Sequence, residues 1–242
     1  MVSKNQIKLI TSLQHKKYRQ EQQLFLAEGV KVIQELLESN FELEHLFETK
    51  YLFNQVATNK KTLVNEQDMK RISALTTPSS CLAMFKMPKA KPIEERGLII
   101  ALDAVRDPGN LGTIIRLCDW FGVPQLLCSL ETVDLFNTKV VQATMGSISR
   151  VNVSYVVLDD FLATTSLPVF GTFMDGANVY EQALPKDGIL VLGNEANGIS
   201  SQIEARITKK LAIPRFGAVQ KTESLNVATA AAIFLSEFRR NA

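Results

Sequence analysis

The chain has 242 residues, 46% hydrophobic and 21% charged, with a formal net charge of +2. That composition suits a globular protein with a sizeable core. No apolar run reaches the roughly 18 residues that a membrane-spanning helix needs, and MVSKNQIKLITSLQHKKYR has neither the apolar segment nor the cleavage site of a secretory signal. Three cysteines (Cys81, Cys118, Cys128) are odd in number and show no CxxC spacing, Cys118 and Cys128 read as small core residues, and His15 and His45 lie far from any of them, so no zinc site is expected. The expectation is a cytoplasmic, metal-free enzyme or binding protein.

Within the first 20 residues Lys4, Lys8, Lys16, Lys17 and Arg19 meet no acid. The stretch reads either as a solvated surface or as a phosphate-facing arm on a nucleic-acid-binding module. LFLAEG follows as a short strand running into glycine, and VKVIQELLES as an amphipathic helix through Val32, Ile33, Leu36 and Leu37. FELEHLFET alternates like a strand, EQDMKRISAL is helical and CLAMFKM is a strand. Together these predict a small α/β domain over residues 1–90. MPKAKPIEERG is rich in proline and charge and contains the linker, 91–97. From 98 to 242 the strands LIIALDAV, PQLLCS, VNVSYVV, PVFGTFM, GILVLG and KLAIP alternate with helices near 110–121, 137–147, 159–164 and 200–206. A long helix follows from 224 to about 240. Near-continuous apolar strands between helices predict a mostly parallel sheet covered on both faces. Ligands of such sheets bind beyond the carboxyl ends of the strands.

Three of those strands run into polar, glycine-containing loops: LDAVRDPGNLGTIIR, LVLGNEANGIS and AIPRFGAVQKTESLNVATAAA. Asn110 and Ser224 are placed to cap the helices that follow. Gly109, Gly193, Gly198 and Gly217 let the backbone turn or a ligand approach. Three such loops at one sheet edge predict a shared pocket with Asn110, Arg116, Glu195, Ser224 and Asn226 as its polar side chains. No GxGxxG follows the first strand and there is no GxxxxGK[ST], which disfavours a nicotinamide-dependent enzyme and a P-loop nucleotidase. Neither histidine lies in the sheet domain, so no Ser-His-Asp or Cys-His set is available.

At these residues the chain resembles the SpoU (TrmH-like) RNA ribose 2′-O-methyltransferases of the SPOUT superfamily. DAVRDPGNLGTIIRLCDWFGV, ILVLGNEANGIS and IPRFGAVQKTESLNVATAAAIF are similar to the family's three motifs, in order and in spacing. KYRQEQQLFLAEGVKVIQELLES resembles, more loosely, the family's substrate-binding domain, which is related to a ribosomal protein that binds kinked RNA. QATMGSISRV, with Arg150, resembles a segment near the RNA site.

The resemblance implies a trefoil knot in the C-terminal domain, a homodimer packed through it, and S-adenosylmethionine as methyl donor without a metal. The donor site implied comprises Gly171, Thr172, Leu192, Gly193, Asn194, Glu195, Gly198, Ile213, Pro214, Ser224, Leu225 and Asn226. Arg116 matches the family's catalytic arginine. Family mechanisms cast it as the base, yet a guanidinium stays protonated at neutral pH. Gripping a phosphate or stabilising the developing oxyanion fits its chemistry better, with base catalysis kept as the alternative. Asn110 would orient that arginine or the ribose, Glu195 would pair with Arg116 or fix Asn110, and Ser224 and Asn226 would position ribose and loop. Lys16, Lys17, Arg19 and Arg150 are the implied RNA contacts. The two-domain layout favours ribosomal over transfer RNA. The other reading kept open is an RNA-binding or ribosome-assembly protein with a vestigial site.

Overall fold

A computed structural model describes residues 2–217, 219 and 224–240. The chain divides into two compact units, one of residues 1–89 with 134–149, the other of 90–133 with 150–242.

The first unit opens not with an extended arm but with two helices, α1 (Lys4–Ser12) and α2 (Lys16–Gln22). A capping box starts α1: the Ser3 hydroxyl accepts from Gln6 N at 3.2 Å, and the Gln6 side chain accepts from Ser3 N at 2.9 Å. Then come β1 (Leu24–Glu28), α3 (Val30–Leu37), β2 (Leu43–Glu48), β3 (Lys61–Leu63), α4 (Glu66–Ile72) and β4 (Cys81–Lys86). The strands form one sheet in the order β1-β4-β2-β3. Side chains alternate across it. Phe25 and Ala27 face α3 on one side, while Leu24 and Leu26 join Ile10, Leu13, Met69 and Ile72 on the other, so both faces are buried.

The face toward α3 is completed by residues from much later in the sequence. Phe136, Val141 and Ile148 enter that cluster, with the Phe136 ring 4.7 Å from the Phe25 ring. The helix Thr138–Thr144 thus belongs to this unit, whereas the sequence places it wholly within the 98–242 domain. Nothing in its own periodicity says which sheet its apolar side will meet.

The second unit begins at β5 (Leu98–Leu102), followed by α5 (Pro108–Trp120) and β6 (Gln125–Ser129). The chain then leaves for the helix just described, α6, and returns as β7 (Asn152–Val156), α7 (Leu158–Thr164), β8 (Val169–Asn178), β9 (Gly188–Leu192), α8 (Ser201–Glu204), β10 (Lys209–Ala212) and α9 (Val227–Arg239). Six strands pair in the order β10-β8-β9-β5-β6-β7, every pair parallel. β5, β6 and β9 are buried at every residue, which is why they read as unbroken apolar runs. All strand ends that carry the three polar loops therefore point one way. Among the described residues no helix is long and apolar enough to cross a membrane, and no group of His, Cys, Asp or Glu has metal-ligand proximity.

Candidate active site

The first loop is built on a proline-started helix. Asp107, not Asn110, is its N-cap: the carboxylate accepts from Asn110 N at 2.8 Å and Pro108 occupies the first turn, where a missing N–H costs nothing. Asn110 is thereby the third residue of the helix, with its side chain free for other work. At α9 the shift runs the other way: Asn226, two residues after Ser224, is the cap, accepting from Ala228 N at 3.0 Å and Thr229 N at 3.2 Å.

These two asparagines meet. Asn226 Nδ2 donates to Asn110 Oδ1 at 2.9 Å, and Asn110 Nδ2 donates to a carboxylate oxygen of Glu195. One residue from each of the three loops is thus wired into a single chain, set up by the packing of α5 on α9. Of the two partners expected for Glu195, the structure selects Asn110. Arg116 stands exposed on α5, two turns along, with no hydrogen bond or ion pair among the described residues.

Beside the chain lies a cavity of about 800 Å³. One wall is the 192–199 segment after β9, another Ile213, Pro214 and Arg215 after β10, and a third Ser224, Leu225 and the start of α9; Thr172, Phe173 and Met174 of β8 and Glu204 of α8 close it. Of the expected donor residues, Thr172, Leu192, Gly193, Asn194, Glu195, Gly198, Ile213, Pro214, Ser224 and Leu225 line it. Gly171 and Asn226 do not, nor do Asn110 and Arg116, among the described residues. Gly171 is small for packing: a Cβ there would lie 2.6 Å from the Phe173 ring. Ala218, Gln220, Lys221, Thr222 and Glu223 of the third loop lie outside the described residues. Sequence reasoning passed over Phe173, Met174, Glu204 and Phe234, which carry no local signal, and Asp107, whose position before proline was a readable cap signature.

The remaining expected RNA contacts separate sharply. Lys16 and Lys17 are exposed, Lys17 within 3.9 Å of Glu21. Arg19 is only 2% exposed: it pairs with Asp134 and donates from Nη1 to the carbonyls of Leu13 and Gln14, both at 2.8 Å. Arg19 is a structural cation in a closed hydrogen-bond set and faces no solvent phosphate. Arg150 is ion-paired with Asp119 at 2.9 Å. The three cysteines are buried, and burial pushes the Cys118 thiol up to about 12, so no thiolate nucleophile is offered.

A parallel sheet whose loops build a cavity edged by an Asn–Asn–Glu chain is a ligand site of an α/β protein in which neither histidine takes part and the three cysteines are buried. Over residues 97–236 the sequence matches the SpoU rRNA Methylase family, and over 4–83 the MRM3-like substrate binding domain. The chain belongs to the SpoU rRNA methylase family. It is 30% identical to the 23S rRNA (guanosine(2553)-2′-O)-methyltransferase RlmP of Bacillus subtilis, across 98% of this chain and 97% of that one. A structure from Porphyromonas gingivalis assigned to the TrmH family of RNA methyltransferases superposes with a TM-score of 0.91 at 41% identity, each chain covered fully at 100%. An AdoMet-bound rRNA methyltransferase from Sinorhizobium meliloti superposes at 0.86 with 29% identity, covering 99% of this chain and 97% of that one.

Proposed function

We propose that this protein transfers a methyl group from S-adenosylmethionine to a ribose 2′-hydroxyl of RNA, with ribosomal RNA favoured over transfer RNA. The observation that carries the proposal is the Asn226–Asn110–Glu195 chain standing at the mouth of a cavity of about 800 Å³ at the carboxyl edge of a parallel sheet. The residues present fit the donor. Apolar Leu192, Ile213 and Leu225 suit an adenine ring, and a Cβ on Gly193 would lie 2.2 Å from the Gly198 backbone, so the wall stays thin. When bound, S-adenosylmethionine supplies an electrophilic methyl on sulfonium; everything else falls to the chain's own residues. Asn110, held by Glu195 and Asn226, presents a fixed amide toward the ribose. Arg116 carries a permanent positive charge that stabilises the 2′-oxygen as its proton leaves, or grips the adjacent phosphate. Ser224, exposed at the cavity, offers a hydroxyl to the same sugar.

Arg116 stands outside the cavity lining of its own chain. Trp120, one turn on along the same face of α5, is 85% exposed. Both facts support a homodimer in which each site is completed by the other copy, packed through the knotted domain that the family resemblance implies. The same reading places the protein in the cytoplasm, where RNA is assembled into ribosomes. Incubating the purified protein with radiolabelled donor and either 23S ribosomal RNA or transfer RNA tests it: label in ribosomal RNA at a ribose is expected. Light scattering should report a dimer, and Trp120→Ala should shift it toward monomer. A vestigial site would show no donor binding by calorimetry. Mapping 2′-O-methyl sites across cellular RNA with and without the protein would identify the nucleotide.

A further inference from the structure

The polar wall of the cavity is the loop from Gly193 to Ser200, and its shape is imposed from the end of β5. Within the loop, Asn194 and Gly198 exchange backbone hydrogen bonds at 2.9 and 2.8 Å. Asn194 Oδ1 accepts from Ala196 N at 2.9 Å and from Asn197 N at 3.3 Å. Gly198 has a φ of +68°, the left-handed geometry that closes the ring. Two bonds then fasten this ring to the strand. Asn194 Nδ2 donates to the Ala104 carbonyl at 2.7 Å, and the Asp103 carboxylate accepts from Ser200 N at 2.7 Å.

The anchor is itself strained and supported. Ala104 sits at φ +55°, a region alanine seldom enters, and its N–H donates to the Ser129 hydroxyl at 3.0 Å. Asp103 is 7% exposed, has no ion-pair partner among the described residues, and its N–H donates to the Leu192 carbonyl at 2.9 Å. A carboxylate buried without a cation and turned onto a loop amide is costly to keep unless that bond matters. The side chain of Asn194 is engaged at both Oδ1 and Nδ2, which commits it to the shape of the loop.

We propose that Asp103 and Asn194 are positioning residues for the methyl donor. They act as a clasp that holds the 193–200 loop in its cofactor-receiving shape and ties it to the turn leading into α5. The proposal rests on the methyltransferase reading but concerns residues that touch neither the RNA nor the transferred methyl. Its test uses the full chain with Asp103→Ala, Asn194→Asp and Asp103→Asn. Asn194→Asp keeps the acceptor that shapes the ring and removes the donor to Ala104. Asp103→Asn keeps an oxygen for Ser200 N.

Calorimetry without RNA should show S-adenosylmethionine bound about tenfold more weakly by Asp103→Ala and Asn194→Asp. KM for the donor should rise in step while kcat at saturating donor stays within about threefold, and Asp103→Asn should recover most of the affinity. Unchanged donor affinity in folded Asp103→Ala and Asn194→Asp overturns the clasp. So does a collapse of kcat at unchanged affinity. Should Asp103→Ala not fold, Asn194→Asp carries the decision. Hydrogen exchange of the Ala196, Asn197 and Gly198 amides gives a readout independent of the donor: slow in the unmodified protein, faster in Asn194→Asp. If the unmodified protein binds no donor, the methyltransferase reading fails, and the exchange result still decides the clasp.

Discussion

In the first unit Arg19 is closed in on Asp134, Glu28 accepts from the Ser73 hydroxyl and Ala74 N, and Glu48 accepts from Leu52 N and Phe53 N. All three are 4% exposed or less. In the second unit Glu195 and Asn226 stand exposed in loops at the carboxyl edge of the sheet, and Arg116 stands exposed two turns along α5. Both units are α/β layers with sheets of apolar strands, yet in the first these charges face inward and fasten chain segments, whereas in the second Asp103 does so while Arg116 and Glu195 stay exposed. The difference is topological. An all-parallel sheet delivers its loops to one edge and leaves their side chains facing a common space. The smaller sheet is buried on both faces, and the polar groups caught there must be satisfied locally.

That contrast can be broken by experiment. Arg116→Ala should lower the methyl-transfer rate by about thousandfold while leaving donor affinity nearly intact, and Arg116→Lys should not restore it, because the planar fork is lost. Single-turnover assays with matched calorimetry decide this. A lysine variant near full rate would reduce Arg116 to a point charge.

Arg19→Ala should cost about 3–5 kcal/mol of stability in urea unfolding, because it strands Asp134 and the Leu13 and Gln14 carbonyls. A loss of RNA binding with no loss of stability would return Arg19 to the phosphate-binding surface. Asn226→Ala should cost about 1 kcal/mol through the α9 cap. It should also lower kcat more than it weakens donor binding, since Asn110 loses a partner.

Smaller again is a pH effect at Glu28, whose carboxyl is pushed above the usual carboxylate range by burial, against the opposing bonds from Ser73 and Ala74. An acid raised in the folded state favours folding as it takes up its proton. Lowering the pH through that raised value should therefore stabilise the unmodified protein relative to Glu28→Gln, read as converging or crossing urea midpoints. The smallest expected change is Lys16→Ala with Lys17→Ala: no change in stability, and a salt dependence of RNA binding shallower by about one to two ions. An unchanged slope would leave the N-terminal helices without a role in RNA contact, and deletion of residues 1–20 would then test only the fold, since Ile10 and Leu13 lie in the core.

Much of this was legible from local pattern. The six long strands of the second unit and its helices fall where apolar runs and glycine or proline breaks place them, as do β1, α3, β2, α4 and β4 of the first. β3 escaped because three residues have no period. α1 and α2 escaped because five basic side chains drew the reading toward an arm, although Ser3 and Gln6 spell a capping box. Side-chain roles were less legible. Asn110 and Asn226 are paired across 116 residues, Asn110 and Glu195 across 85, and Arg19 is paired with Asp134 across 115.

The sequence by itself determined the parallel sheet and the three loops, because apolar periodicity and turn chemistry are properties of neighbours in the chain, and the family through the resemblance of three motifs. Only the tertiary structure decided that Asp107 and Asn226 cap, that Glu195 holds Asn110, that Asp103 and Asn194 fasten the 193–200 loop, and that α6 closes the first unit's core. Each of those rests on a hydrogen bond or a buried contact between distant residues, and its energy exists only once the fold has brought both partners out of water.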